Sequence, residues 1–179
     1  MRNGENPIYT IGHSTRSIEE FVELLRAGPV RHLVDVRSIP RSRTNPQYNL
    51  DTLPDTLADW QIRHTIIPEL GGRRAREKQV DPAINGFWDN QSFHNYADYA
   101  LSDDYRAGLD RLVALSAEAP CAIMCSEAVW WRCHRRIIAD YLLLRGHEVL
   151  HLMGKDRVEP AKMTPGAKAD GDVLTYPRA

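Results

Sequence analysis

Residues 122–152 read AIMCSEAVWWRCHRRIIADYLLLRGHEVLHL and contain, in order, the signals of a strand, a helix and a second strand. The apolar run at 122–124 predicts a short buried strand. Apolar residues recur at helical spacing over 133–145, and Gly146 is a suitable C-cap for that helix. A second β-rich run follows at 147–152. This order is typical of two parallel strands joined by a helical crossover.

The same alternation precedes this unit along the chain. Ser17 and Glu20 have the spacing of a capping box, so a helix should begin there and end at Gly28-Pro29. The remaining predicted elements are strands at 7–11, 33–36 and 62–67, a short helix over 51–60, and a helical stretch over 92–118 broken near residues 102–103.

We therefore predict an α/β fold, with one Rossmann-like domain over residues 1–179 and a core over residues 8–152. The mostly parallel sheet should have about five strands, with helices on both faces. Residues 68–91 form the longest stretch without periodicity, which is typical of a functional or mobile loop. The tail over 154–179 is rich in proline and glycine and is predicted to be irregular.

Composition excludes several classes of protein. The chain has 179 residues, with 23 Lys and Arg against 24 Asp and Glu, so its formal net charge is -1. This balance excludes a protein coated in basic residues, and no apolar run reaches the roughly 20 residues needed to span a bilayer. The polar start lacks a signal-peptide core, so we expect a cytoplasmic protein with its three cysteines reduced and with no membrane partner.

Polar and cationic side chains follow four of the predicted strands. Ligands of open α/β sheets bind beyond the carboxyl ends of the strands, so these residues should converge on one crevice. The candidate binding residues are His13, Ser14, Arg37, Arg41, Ser42, Gly71, Gly72, Arg73, Cys125, Cys133, His134 and Arg135, and the candidate catalytic residues are Glu127 and Asp35.

The charges are segregated along the chain. Three arginines and no acid lie between Asp35 and Asp51, and residues 128–136 also contain three arginines and no acid. Residues 73–78 add four cations against one Glu, whereas acids concentrate in predicted helices. A neutral protein with basic strand ends suggests a phosphate-bearing substrate, either a nucleotide or a nucleic acid.

The helix that begins near Cys133 gives a second reason to expect an anion. Its first-turn N–H groups and the positive end of its dipole should face the crevice. Arg135 and Arg136 lie in that turn, where cations are unfavourable for the helix alone. An anionic partner would account for them; the alternative is that one or both side chains turn outward to solvent.

Several separate motifs together resemble the domain-of-unknown-function family 488. The resemblance runs in order from about residue 8 to residue 152, and its motifs are IYTIGHS, LVDVRSIPRSR, ELGG, FHNYADYA, MCSEAVWWRCHRRIIADYL and GHEVLHL. It implies a Rossmann-like α/β fold and no settled reaction. The site that it implies comprises His13, Ser14, Arg37, Arg41, Ser42, Cys125, Glu127, Cys133, His134 and Arg135.

Carboxylate chemistry is the leading prediction. Glu127 follows a strand end among cations, and Asp35 lies near the end of the neighbouring strand. Hydrolysis of an N-glycosidic bond needs one group that orients water and another that balances oxocarbenium charge. Phe87, Trp88, Trp130 or Trp131 could stack on a base. The alternative readings are that Glu127 forms a salt bridge, that Asp35 orients Arg37, and that the tryptophans belong to the core.

The cysteines support a weaker alternative, a thiol-dependent or redox protein. LVDVR looks like the opening of a rhodanese domain, but Cys125 and Arg132 are separated by six residues, not by the five of a C-x5-R anion loop. Cys133 at a helix start could have a lowered thiol pKa. Cys121, Cys125, Cys133 and His134 lack zinc-site spacing, so we predict no metal.

No dinucleotide fingerprint or Walker-type sequence occurs, so we predict no NAD or ATP cofactor. The leading hypothesis is therefore a glycosylase-like hydrolase that acts on a nucleotide or on a nucleic-acid base. A sensor module that binds a nucleotide or another anion without turnover is the second alternative.

Overall fold

A computed structural model describes residues 6–178. Its strands are β1 (Ile8–Gly12), β2 (His32–Asp35), β3 (Arg63–Ile66), β4 (Cys121–Cys125), β5 (Val149–Gly154), β6 (Arg157–Pro160), β7 (Lys168–Asp170) and β8 (Val173–Thr175). Its α-helices are α1 (Ile18–Ala27), α2 (Leu53–Ala58), α3 (Gln91–Tyr99), α4 (Asp103–Glu118) and α5 (Arg135–Leu144).

The central sheet has six strands in the order β3-β2-β4-β1-β5-β6. Strands β1 to β5 are parallel to one another. Along the chain, each of them is connected to the following one by a segment that contains α-helix or 3-10 helix and crosses a face of the sheet. The predicted α/β class and mostly parallel sheet are confirmed. In the dinucleotide-binding Rossmann order the first strand lies between the second and the fourth, whereas here β4 separates β2 from β1.

Helices cover both faces of the sheet, as predicted. One apolar cluster joins Tyr9, Ile11 and Leu33 to α1 and α2. The opposite cluster packs alternate residues of the same strands against α3, α4 and α5. Alternation of side chains along each strand makes this possible, since neighbouring residues point to opposite faces.

The helix signals in the sequence are present in the structure. Ser17 accepts a hydrogen bond from the Glu20 amide, and the Glu20 carboxylate accepts one from the Ser17 amide, so the capping box is formed. Gly28 ends α1 as expected. The 92–118 stretch divides into α3 and α4 at the predicted break, where Ser102 caps α4.

The prediction of an irregular tail is wrong. β6 pairs antiparallel with β5 and adds a sixth strand to the sheet, and β7 and β8 form a small hairpin of their own. Leu174 and Tyr176 are buried in the helical core, where the Tyr176 hydroxyl donates a hydrogen bond to Asp140 at 2.8 Å. The pattern of apolar residues did not reveal these strands because each of them has only three or four residues.

The parallel register brings the ends of the central strands to one edge. Gly12 at the end of β1 lies opposite Cys125 at the end of β4. The pairing continues past the strands, since His13 N donates to Cys125 O and Ser14 N donates to Ser126 O, both at 3.0 Å. Within the described residues, no helix combines the length and apolar character needed to cross a membrane.

Candidate functional site

A cleft of about 680 Å³ opens at this edge of the sheet. Its volume is in the range of small-molecule sites. The structure brings eleven of the residues singled out from the sequence together on its walls: His13, Ser14, Arg37, Arg41, Ser42, Gly72, Arg73, Cys125, Glu127, Cys133 and His134. Asp35, Gly71 and Arg135 do not line it.

Asp35, which we predicted to be the second catalytic carboxylate, does not line the cleft and instead holds Arg37. Its side chain is fully buried and forms a bidentate pair with Arg37, in which Nε donates to Oδ1 at 2.9 Å and Nη2 to Oδ2 at 2.6 Å. His64 lies 3.1 Å from the same Oδ2. Burial alone raises the pKa of Asp35, but the hydrogen bonds from His64 and Arg37 outweigh it and hold that pKa below its ordinary value.

Two of the three nitrogens of the Arg37 guanidinium, Nε and Nη2, donate hydrogen bonds within the protein, which hold the group rigidly. Its Nη2 also donates to the carbonyl of Tyr48 at 2.8 Å, whereas its buried Nη1 has no hydrogen-bond partner within residues 6–178. The side chain is only 5% exposed and lines the cleft. Leaving a buried donor unsatisfied costs about 1–3 kcal/mol. Nη1 is therefore well suited to an acceptor atom supplied by a ligand.

His13 is a neutral imidazole on the cleft wall. Its ring stacks on Tyr48, with centroids 4.3 Å apart, and its Nδ1 lies 2.8 Å from the carbonyl oxygen of Ser14. A carbonyl can only accept, so Nδ1 carries the hydrogen and Nε2 is an acceptor. Burial lowers the pKa of His13, and the charge of Arg37 lowers it further.

The turn after β1 is conformationally constrained. Ser14 has a φ of 48°, in the left-handed region that non-glycine residues rarely adopt. Such strain concentrates at ligand sites, where the surrounding structure imposes it. The flanking Gly12 packs directly beneath the Glu127 carbonyl, and a Cβ on Gly12 would collide with that oxygen.

We expect Gly12→Ala to displace the Glu127 backbone and to damage folding and site together. Overpacking of a tight contact costs about 1–3 kcal/mol. Urea denaturation should show this loss, and ligand binding should weaken in the protein that remains folded. Gly154→Ala is the matched control, because a Cβ there meets nothing within 4 Å. Equal stability of the two variants would contradict the close packing of Gly12.

Arg135, which we predicted to contact a ligand, does not line the cleft. Its side chain is fully buried, donates to Thr10 Oγ1 at 3.1 Å and to the Glu127 carbonyl at 2.8 Å, and has no carboxylate partner among the described residues. Burial lowers its pKa to about 9. Arg135 therefore positions the Glu127 segment. Arg136 instead stacks over Trp88, with its Cζ atom 5.0 Å from the ring centroid.

Gly71 also does not line the cleft. Its amide donates to Pro68 O at 3.0 Å, so that N–H group is not available to a phosphate. Gly72 and Arg73 line the cleft, and the Arg73 amide is already used in a 2.7 Å hydrogen bond to Ser38 Oγ. The contribution of Arg73 to a ligand therefore comes from its exposed side chain.

Two cysteines and a histidine meet at the base of the cleft. Cys125 and Cys133 form a disulfide bond, whereas Cys121 is a free and buried thiol. The amide of Arg135 donates to Cys133 Sγ at 3.4 Å, and His134 Nδ1 lies 3.5 Å from the same sulfur. Nε2 of His134 lies 2.8 Å from the Val36 carbonyl, and burial lowers the pKa of His134 to about 4. Our expectation that all the cysteines are unpaired thiols is not met here.

Glu127 is the one carboxylate among the described residues that lines the cleft. Its side chain is exposed and has no ion-pair partner within the described part of the chain. The alternative reading of a simple salt bridge to an arginine therefore does not apply. Its backbone is fixed, because its carbonyl accepts from Arg135.

Sequence reasoning missed part of the lining. Ser38 and Asn45 lie in the polar loop after β2 that the sequence flagged as a whole, and Phe93 and Asn90 come from the start of α3. Asn90 carries a helix-cap signal, which concealed its position at the cleft. Among the aromatic side chains proposed to stack on a base, Trp88 lies in the core, where it stacks on Phe93.

No group of three or more potential metal-ligating side chains comes together within residues 6–178.

Comparison with curated proteins and with solved structures finds no significant match. A family model described as "Domain of unknown function DUF488" matches residues 17–142, which is most of the chain. The match includes β2, β4 and most of α5, together with the cleft residues that follow β2 and β4. The chain therefore belongs to the DUF488 family.

Proposed function

We propose that this protein is an enzyme that hydrolyses the N-glycosidic bond of a nucleotide or of a nucleic-acid base. One observation carries the proposal: Glu127 is the one carboxylate among the described residues that lines the cleft, and the other polar groups there are mainly cations and hydrogen-bond donors. A carboxylate in such surroundings can orient water and offset positive charge that develops on a sugar. Phe93 provides an aromatic wall for the base.

The reaction breaks the bond between C1′ of the sugar and a ring nitrogen of the base, and the bonding electrons leave with the base. Glu127 orients the attacking water and accepts its proton, while the oxygen adds to C1′. That proton passes through solvent to the departed base, so one water is consumed. Arg37 Nη1 and the Ser14 hydroxyl donate hydrogen bonds to the substrate, and His13 Nε2 accepts one from the base.

The direct test is an assay for base release. The protein is incubated with nucleosides, nucleoside monophosphates and oligonucleotides, and free bases are separated by chromatography. Appearance of a free base together with a reducing sugar end supports the proposal. Tight ligand binding without product at any pH would contradict it and would favour the sensor alternative.

The pH dependence should follow His13. Burial lowers its pKa below the ordinary value of 6.5, so the neutral form needed as an acceptor persists as the pH falls through 6.5. We expect kcat/KM to hold through that pH and to decline only in more acidic solution. His13→Asn should shift this acidic limb. An identical pH profile in the variant would remove His13 from the mechanism.

A second candidate function is dithiol redox chemistry, favoured by the pairing of Cys125 with Cys133 beside an α5 amide. Here a low-molecular-weight thiol reduces the pair by two electrons and two protons, and the resulting dithiol reduces a substrate disulfide. Cys133→Ala separates the two functions. If the protein hydrolyses glycosidic bonds, Cys133→Ala should reduce base release only mildly. If Cys133→Ala alone abolishes the activity of the protein, the redox function is favoured.

A further inference from the structure

The arginines of the cleft fall into two classes that differ in burial and pairing. Arg37 is buried and paired with Asp35, so its charge is compensated within the protein. Arg41, Arg73 and Arg132 are exposed, and none has an ion-pair partner among the described residues. The uncompensated positive charge of this cleft therefore lies on its solvent-exposed rim, which is formed by Arg41, Arg73 and Arg132 and which we call the mouth.

The deep part of the cleft is polar but close to neutral. His13 and His134 both have pKa values lowered by burial, so both are uncharged near pH 7. Among residues 6–178, the buried donor Arg37 Nη1 has no hydrogen-bond partner, and His13 Nε2 is available as an acceptor. One donor and one acceptor without net charge are better suited to the edge of a heterocyclic base than to a phosphate dianion.

The cationic mouth is built from three separate loops. Arg41 follows β2, Arg73 follows β3 and Arg132 precedes α5. A free mononucleotide carries its phosphate at one end of the sugar, which places the charge on one side of the base. Exposed arginines supplied by three loops are instead suited to a chain that has phosphates on both sides of the inserted nucleotide.

Two exposed apolar side chains lie at the mouth or next to one of its arginines in the chain. Ile39 lines it and is 51% exposed, and Trp131, next to Arg132 in the chain, is 41% exposed. Proteins that take one base out of a stack often place apolar or aromatic side chains against the neighbouring bases. Exposed apolar groups among arginines are consistent with such contacts.

We propose that the substrate is a polynucleotide strand that inserts one base into the cleft while its phosphates lie on Arg41, Arg73 and Arg132. This inference rests on the proposed function and specifies its substrate class. DNA and RNA share the chemistry that these groups recognise, and the experiment compares both.

The test measures binding of fluorescein-labelled single-stranded 15-mers of DNA and of RNA by anisotropy at several salt concentrations. Three phosphate contacts predict a slope of about -2 for log K against log salt, from roughly 0.7 released ions per contact on a single strand. Arg41→Gln/Arg73→Gln/Arg132→Gln should bring the slope close to zero and weaken binding at least about tenfold at low salt.

The matched control is Arg31→Gln/Arg63→Gln/Arg111→Gln, which removes the same charge from exposed sites. Arg63 begins β3 and Arg31 precedes β2, both at the opposite edge of the sheet, and Arg111 lies on α4. We expect the control to retain at least most of the wild-type slope. Equal loss of slope in both triple variants would overturn the assignment of the phosphates to the mouth.

Base release distinguishes this inference from the proposed function. If mononucleotides and 15-mers are hydrolysed with equal kcat/KM, the polynucleotide inference is overturned while glycosidic hydrolysis stands. If 15-mers bind with a slope that depends on the three arginines but no base is released, glycosidic hydrolysis fails and the binding inference stands. Tighter binding of the wild-type protein to the RNA or to the DNA 15-mer identifies the preferred strand.

Discussion

Glu127→Gln should abolish base release while leaving substrate binding intact. The amide keeps the size of the side chain but cannot accept the proton of the attacking water, and the loss of a general base typically lowers kcat about 10²–10⁴-fold. The side chain is exposed and has no ion-pair partner among the described residues, so the fold should not change. Single-turnover base release and oligonucleotide anisotropy, measured on the same preparation, separate the two effects.

Glu148→Gln is the control, because Glu148 is exposed and directly precedes β5, at the opposite end of that strand from the cleft edge. It removes the same charge and should leave turnover unchanged. A Glu127→Gln protein that retains near wild-type kcat would contradict the central role given to this carboxylate. A variant that loses binding and turnover together would instead make Glu127 a binding group.

Asp35→Ala should cause the largest loss of stability among the cleft variants. The substitution leaves the Arg37 guanidinium buried without its counterion, and removal of one partner from a buried pair costs about 3–5 kcal/mol. His64 also loses its 3.1 Å contact. Guanidinium denaturation should show this decrease, and the exposed Asp59→Ala should be close to wild type.

A double-mutant cycle separates structure from catalysis at this pair. Arg37→Ala alone should also destabilise the protein, whereas Asp35→Ala/Arg37→Ala should lose less than the sum, since neither charge is then stranded. Additive losses would show that the two side chains are not coupled.

The pH dependence of the Asp35 effect has a definite sign. The pKa of Asp35 is lowered in the folded protein, so its contribution is fully present above the unfolded value near 3.8 and is lost as the pH falls through the folded value. The difference in stability between wild type and Asp35→Ala should therefore be largest near neutral pH and shrink in strong acid. A difference that grows on acidification would contradict the pairing.

Much of the cleft could be predicted because its residues follow strands. His13, Arg37 and Glu127 each come directly after an apolar strand signal, and parallel strands end at one edge. The roles within the cleft could not be predicted in this way. Whether Asp35 faces water depends on Arg37 and on His64, which is 29 residues away, and whether Arg135 reaches the cleft depends on Thr10, 125 residues away.

The sequence by itself determined the alternation of strands and helices, the capping box at Ser17 and the segregation of charge beneath a net value of -1. These properties depend on local spacing or on counting. Only the tertiary structure decided the strand order, the antiparallel β6, the pairing of Cys125 with Cys133 and the burial of Asp35 against Arg37. The physical reason is that the burial and pairing of a side chain are set by residues distant in the chain. A charged side chain with no evident partner in the sequence can therefore be fully compensated by a partner in the fold.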